Sequence, residues 1–185
     1  MSGLPQKIIA IHQSLASLDI AHAFGGALAL AWCTQRARGT IDIDLNVFVT
    51  TDRASDVVAG LPAGVVHTDT DVVTLEQDGQ ARLWWDATPI DVFLNTTDYH
   101  QDVARRIRWE PFDGEELPFL ACTDLAVFKA FFNRTRDWAD LEEMAAAAAL
   151  DRDRVLGILI RYLGPADERV QRLHELRGPA EPTGA

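Results

Sequence analysis

The sequence predicts an α/β (α+β) fold, a mixed sheet with flanking helices followed by a C-terminal helical segment. Three observations carry that expectation. Residues 40–49 (TIDIDLNVFV) alternate apolar and polar positions with the period of a strand. Residues 5–18 and the stretch from Thr123 onward space their apolar residues at helical intervals, and several β-rich runs lie between them. With 185 residues, 48% of them apolar and 24% charged, the chain has the length of one compact domain and the composition of a folded one.

Taken in order, Ile8, Ile9, Ile11, Leu15 and Leu18 give residues 5–18 an amphipathic face. Residues 20–24 (IAHAF) read as a short strand ending at Gly25-Gly26, and ALALAWCTQ (27–35) favours helix directly after the glycine pair. The strand over 40–49 comes next, then a helix over 52–60 with Asp52 as its N-cap and Gly60 and Pro62 as its stop. Residues 64–68, 71–77, 80–86 and 89–95 read as strands, with Asp78-Gly79 as the hairpin turn between the second and third. Residues 97–108 read as a charged surface helix, and 109–120, with Pro111, Gly114 and Pro118, as an irregular or extended connection. From Thr123 to about Arg177 the chain is helical, with breaks near Asp137, Asp151 and Gly164-Pro165; residues 178–185 read as a disordered tail.

Charge narrows the function. Seventeen Lys plus Arg against 28 Asp plus Glu leave a net charge of −11, which repels phosphate polymers and argues against DNA as a partner. The cluster Arg105, Arg106 and Arg108 is either a solvated helix face or the local patch that an anionic acceptor would need. Cys33 and Cys122 stand alone in apolar stretches and read as buried free thiols, consistent with a reducing compartment. No run approaches the roughly 18 apolar residues of a membrane span, and the first residues lack the pattern of a secretory signal. The expectation is a cytoplasmic protein with no membrane partner.

The segment that carries chemistry is 24–49, FGGALALAWCTQRARGTIDIDLNVFV. Asp42 and Asp44 sit two apart among apolar strand residues, where acids are disfavoured. Alternation puts both carboxylates on one face, their Cβ atoms roughly 6.5–7 Å apart. A divalent ion relieves their repulsion, and oxygen ligands of this kind suit magnesium, which takes one or two carboxylates plus substrate phosphates. The plainer reading is the solvent side of an edge strand. Gly25 and Gly26 before a helix N-terminus leave backbone N–H groups for phosphate oxygens and let a triphosphate approach with no Cβ in the way; alone, such a pair is more often a turn.

A hydrophobic residue and two glycines, then a helix, a basic residue and T-x-D-x-D resemble the nucleotidyltransferase superfamily with the DNA polymerase beta-type palm, and within it the AbiEii-type toxins. The matching residues are Phe24, Gly25, Gly26, Arg38, Thr40, Asp42 and Asp44. DLAVFKAFFNRTRDWADLEEM (124–144) is similar to a second AbiEii-type stretch, with Asp124, Lys129, Arg136, Asp137 and Asp140 at the matching positions. AbiEii-type proteins are usually larger. The antibiotic-modifying nucleotidyltransferases are nearer in size but usually carry an aromatic residue after the glycines, where this chain has Ala27.

The resemblance implies a palm over residues 1–120 with a helical segment, 121–177, packed on it. It implies transfer of a nucleoside monophosphate from a nucleoside triphosphate to a hydroxyl acceptor, with two magnesium ions held by Asp42, Asp44 and a third carboxylate. Asp91, in PIDVFLN, is the candidate for the third and Asp86 the runner-up; Asp91 also fits an exposed strand acid. Gly25, Gly26 and Thr40 would shape the triphosphate cradle. Lys129 would contact its phosphates, and Asp137 would orient Lys129 or help to activate the acceptor; the plainer reading is a snorkelling lysine and a helix cap. The acceptor is a small molecule, a protein or an RNA. The rival function is a non-catalytic palm that binds a nucleotide or a protein, such as one half of a toxin–antitoxin pair. His22, just before the glycines, and the Trp84-Trp85 pair, one core and one surface or pocket wall, are the remaining residues that could face such a site.

Overall fold

A computed structural model describes residues 3–176. The tail expected at 178–185 lies outside the described residues. The fold is a mixed α/β one, with a central mixed sheet, flanking helices and C-terminal helices, as the alternating and helical patterns require. The chain divides into two compact units, Met1–Leu28 with Gly39–Leu120, and Ala29–Arg38 with Ala121–Ala185.

The first unit holds the sheet. Its strands are β1 (His22–Phe24), β2 (Ile43–Thr50), β3 (Val65–Val66), β4 (Gln80–Trp85), β5 (Thr88–Asn95), β6 (Arg108–Phe112) and β7 (Glu115–Phe119), in the order β3-β4-β5-β2-β1-β7-β6. β2 runs parallel to β5 and antiparallel to β1, while β1 runs parallel to β7. Alternation on β2 buries Ile43, Leu45 and Val47 completely and turns Asp44, Asn46 and Phe48 to the other face. Ile90, Val92 and Leu94 of β5 and Leu83 of β4 are buried as well. Each such side chain contributes about 1.5–3 kcal/mol relative to exposure, so the register of these strands is strongly specified. The helices of this unit are α1 (Leu4–Ser17), the start of α2 (Gly26–Thr34), α3 (Ala54–Ala59), α4 (Asp69–Asp78) and α5 (Asp98–Val103).

Four expectations for this unit are corrected. Residues 71–77 form helix α4, not a strand: Thr68 and Asp71 close a capping box at its start, and Gly79, at φ +70°, ends it in the left-handed conformation. Asp78-Gly79 is therefore a helix terminus, and the hairpin joins β4 to β5 through Asp86. The strand placed at 40–49 starts at Ile43, which leaves Ile41 81% exposed. Arg108, read as the end of a charged helix, and residues 109–119, read as an irregular or extended connection, make the paired β6–β7 hairpin, whose turn is Asp113-Gly114 with both φ angles positive.

The second unit comprises the rest of α2 together with α6 (Cys122–Phe132), α7 (Thr135–Ala146), α8 (Arg152–Leu163) and α9 (Glu168–Glu175). Trp138, Leu141, Met144, Val155, Leu159 and Leu173 form its core. Cys33 and Cys122 are joined in a disulfide with their Cα atoms 5.5 Å apart, which overturns the expectation of free thiols and the argument for a reducing compartment that rested on it. Their separation of 89 positions hides the pairing from sequence spacing. Among the described residues no helix is long and apolar enough to cross a membrane.

Candidate active site

The parallel register of β2 and β5 makes Asp44 the partner of Asp91, so the two carboxylates rise from one face of neighbouring strands. The backbone N–H of Gly25 donates to the Asp44 carbonyl at 2.8 Å, which ties the glycine bend to the same strand position. Gly26 has φ +52°, and a Cβ built there would fall 2.5 Å from Asp44 Cγ and closer still to Oδ2. Glycine is thus required twice, for a left-handed backbone and for the Asp44 carboxylate that lies against the first turn of α2.

Asp42 lies just before β2 in a bend, half-buried. The Thr40 hydroxyl donates to its Oδ1 at 2.5 Å, so Thr40 orients the Asp42 carboxylate. Asp91 is bonded from the third strand of the row. Arg82, its antiparallel register partner on β4, donates Nε to Oδ1 and Nη2 to Oδ2, each at 2.7 Å. The Arg82 guanidinium is held above its ordinary pKa, first by the hydrogen bonds to Asp91, then by its charge, and further by the charges of Asp42 and Asp44. Sequence reasoning missed Arg82; its signal is the spacing of the β4–β5 hairpin, which sets it opposite Asp91.

Carboxylate oxygens on Asp42 and Asp44 are the donor chemistry that magnesium takes, and two carboxylates with substrate phosphates make an ordinary magnesium set. The third candidate, Asp91, has both oxygens engaged by Arg82. Among the described residues no group of three or more His, Cys, Asp or Glu side chains is gathered closely enough to hold a metal by itself. The face therefore fits a cation that brings phosphate ligands with it.

The remaining residues singled out in the sequence stand as follows. Asp86 occupies the β4–β5 turn and pairs with Lys7 at 3.0 Å, a structural use of the runner-up carboxylate. Trp84 shares the Arg82 face of β4 and is 46% exposed, whereas Trp85 points the other way, with Lys7 Nζ 5.6 Å from its ring centre. His22 is buried: its Nδ1 meets the Ile20 carbonyl at 2.8 Å and its Nε2 meets His12 Nδ1 at 3.0 Å. Burial pushes its pKa down to about 4. Arg105 pairs with Asp102, Arg108 with Glu110, and Arg106 lies over the Tyr99 ring, so each member of the basic cluster has a local partner.

Lys129 and Asp137 belong to the second unit. Lys129 is buried, 2.5 Å from Asp140 and 3.8 Å from Asp137. One turn of α7 puts Asp137 and Asp140 on the same side, and Arg38 also bonds Asp140. Asp137 accepts from the Arg134 side chain at 2.6 and 3.1 Å and from its backbone N–H at 3.2 Å, the geometry of a helix cap. The basic residue and the second acid of the D-x-x-D thus meet in one buried ion-pair cluster inside this unit.

No known family model matches the sequence, and no curated protein matches it. The fold does have counterparts among solved structures. The crystal structure of ANT(2")-Ia in complex with adenylyl-2"-tobramycin is similar at a TM-score of 0.61 and 13% identity, covering 85% of this chain and 98% of that one. The solution structure of the same antibiotic-resistance factor has a TM-score of 0.57 and 11% identity, covering 94% and 97%. An antigenic nucleotidyltransferase-like protein from Paracoccidioides brasiliensis has a TM-score of 0.50 and 11% identity, covering 93% and 85%. The resemblance to AbiEii-type toxins rests on sequence motifs alone. At these identities the likeness establishes architecture alone: the chain shares the fold of these solved structures.

Proposed function

We propose that the chain is a metal-dependent nucleotidyltransferase that moves a nucleoside monophosphate from a nucleoside triphosphate to a hydroxyl of a small acceptor. The observation that carries this reading is the shared register of Asp44 and Asp91 beside the glycine bend, on a fold found in nucleotidyltransferases. Asp42, oriented by Thr40, and Asp44 would hold magnesium, with Asp91 completing the row; magnesium, when bound, supplies charge neutralisation to the triphosphate. In the reaction the acceptor oxygen bonds to the α-phosphorus, its proton passes to a carboxylate of the row, and the bond to the bridging oxygen breaks. Pyrophosphate leaves with the electron pair. Positioning and electrostatics supply most of the catalysis in such a displacement.

The net charge of −11 favours a cationic or neutral acceptor over a nucleic acid. ANT(2")-Ia was crystallised with adenylyl-2"-tobramycin, so an aminoglycoside is the first acceptor to test. Each α-labelled triphosphate is incubated with the protein, magnesium, and either an aminoglycoside or cell extract. Labelled adduct and released pyrophosphate support the reading, provided that Asp42→Asn abolishes both.

The engagement of Asp91 by Arg82 favours one second reading, a palm that binds nucleotide without transferring it. Thermal stabilisation by magnesium and a triphosphate, with no adduct from any acceptor, would select it.

A further inference from the structure

A guanidinium forked onto a carboxylate that shares a rung with Asp44 is more than the β4–β5 pairing needs. Arg82 grips both oxygens of Asp91 in a fork, and the negative charges of Asp42 and Asp44 add to those that hold its guanidinium protonated. The Arg82 side chain is 53% exposed, so it can leave Asp91 without disturbing the core. A planar fork on a carboxylate fills the coordination positions that a divalent ion would take.

Resting on the carboxylate site proposed above, we propose that Arg82 is a positioning residue that stands in for the divalent cation: it holds Asp91 in the row, and cation loading must take Asp91 from it. The carboxylates then stay aligned between turnovers despite their mutual repulsion. Cation binding is correspondingly weakened by an internal competitor, so loading favours a cation that arrives with a triphosphate.

Direct titration with Mn²⁺ in the absence of nucleotide, read by the electron paramagnetic resonance of the free ion, tests this in the full chain. Arg82→Gln is expected to bind Mn²⁺ about tenfold more tightly than wild type, the scale of removing one partly screened charge a few ångströms away. In an Asp91→Asn background the same substitution is expected to give a much smaller gain. Arg82→Lys, which keeps the charge but loses the fork, is expected to fall between, and it serves as the readout if Arg82→Gln does not melt cooperatively. Equal or weaker binding in the Arg82 variants, or an equal gain with and without Asp91, overturns the inference while leaving the transferase reading intact. Absence of saturable Mn²⁺ binding in wild type and all variants also overturns the inference, while the transferase reading, whose cation arrives with the triphosphate, falls only if no labelled adduct forms with magnesium and nucleotide present.

Discussion

Asp44 and Asp91 occupy the same rung of the parallel ladder between β2 and β5, and Gly26 closes over the first of them. Two anions on one rung repel each other, and a fold keeps such a pair where an external or internal cation answers it. Here Arg82 answers from the next strand. The consequences for activity and stability can each be measured.

Asp44→Asn removes one charge while keeping the shape of the side chain. Nucleotidyl transfer is expected to fall about a hundredfold or more, the scale seen when one group that stabilises transition-state charge is lost. Circular dichroism should be unchanged. Transfer at the wild-type rate would remove Asp44 from the chemistry.

Gly26→Ala forces a side chain into a left-handed backbone and against the Asp44 carboxylate. The strain is expected to cost about 1–3 kcal/mol, read as a lower urea midpoint with an unchanged slope.

Reduction of the Cys33–Cys122 bridge opens a loop closed across 89 positions. Loss of that constraint is expected to destabilise the protein by about 2–5 kcal/mol. Melting with and without a phosphine reductant measures it, and a variant with both cysteines replaced by serine should melt at the reduced value and ignore the reductant.

Acidification has a defined sign. His22 and His100 are buried, and burial, the leading cause, lowers the pKa of each from 6.5 to about 4. Both are neutral in the folded chain at pH values where the unfolded chain binds protons, so their contribution is complete above pH 6.5 and is lost as pH falls toward about 4. Stability is expected to fall by about 1 kcal/mol per pH unit for each ring within that window. Urea titrations at several pH values should show the slope, and His22→Asn should reduce it.

What could be read before the fold was known follows from which interactions are local. The alternation over 43–49 buries its apolar set only if Asp44 takes the opposite face, and a strand, two glycines and a helix in succession are short-range features. The candidate carboxylates were legible for that reason. The run DVVTLEQ looked like a strand because its apolar residues satisfy either period, and the Thr68–Asp71 box with Gly79 decided for helix. Pro111 and Pro118 obscured two strands that pair across Asp113-Gly114; Pro111 is tolerated because β6 lies at the sheet edge.

The amino-acid order by itself determined the sheet-and-helix class, the place of Asp44 opposite the apolar face of β2 and the glycine bend, since each depends on neighbours within a few positions. Only the tertiary structure decided that Arg82 meets Asp91, that Lys129 is committed to Asp140, and that Cys33 bonds Cys122. Those contacts depend on strand register and helix placement, which are set by the burial of the whole core and leave no mark in local spacing.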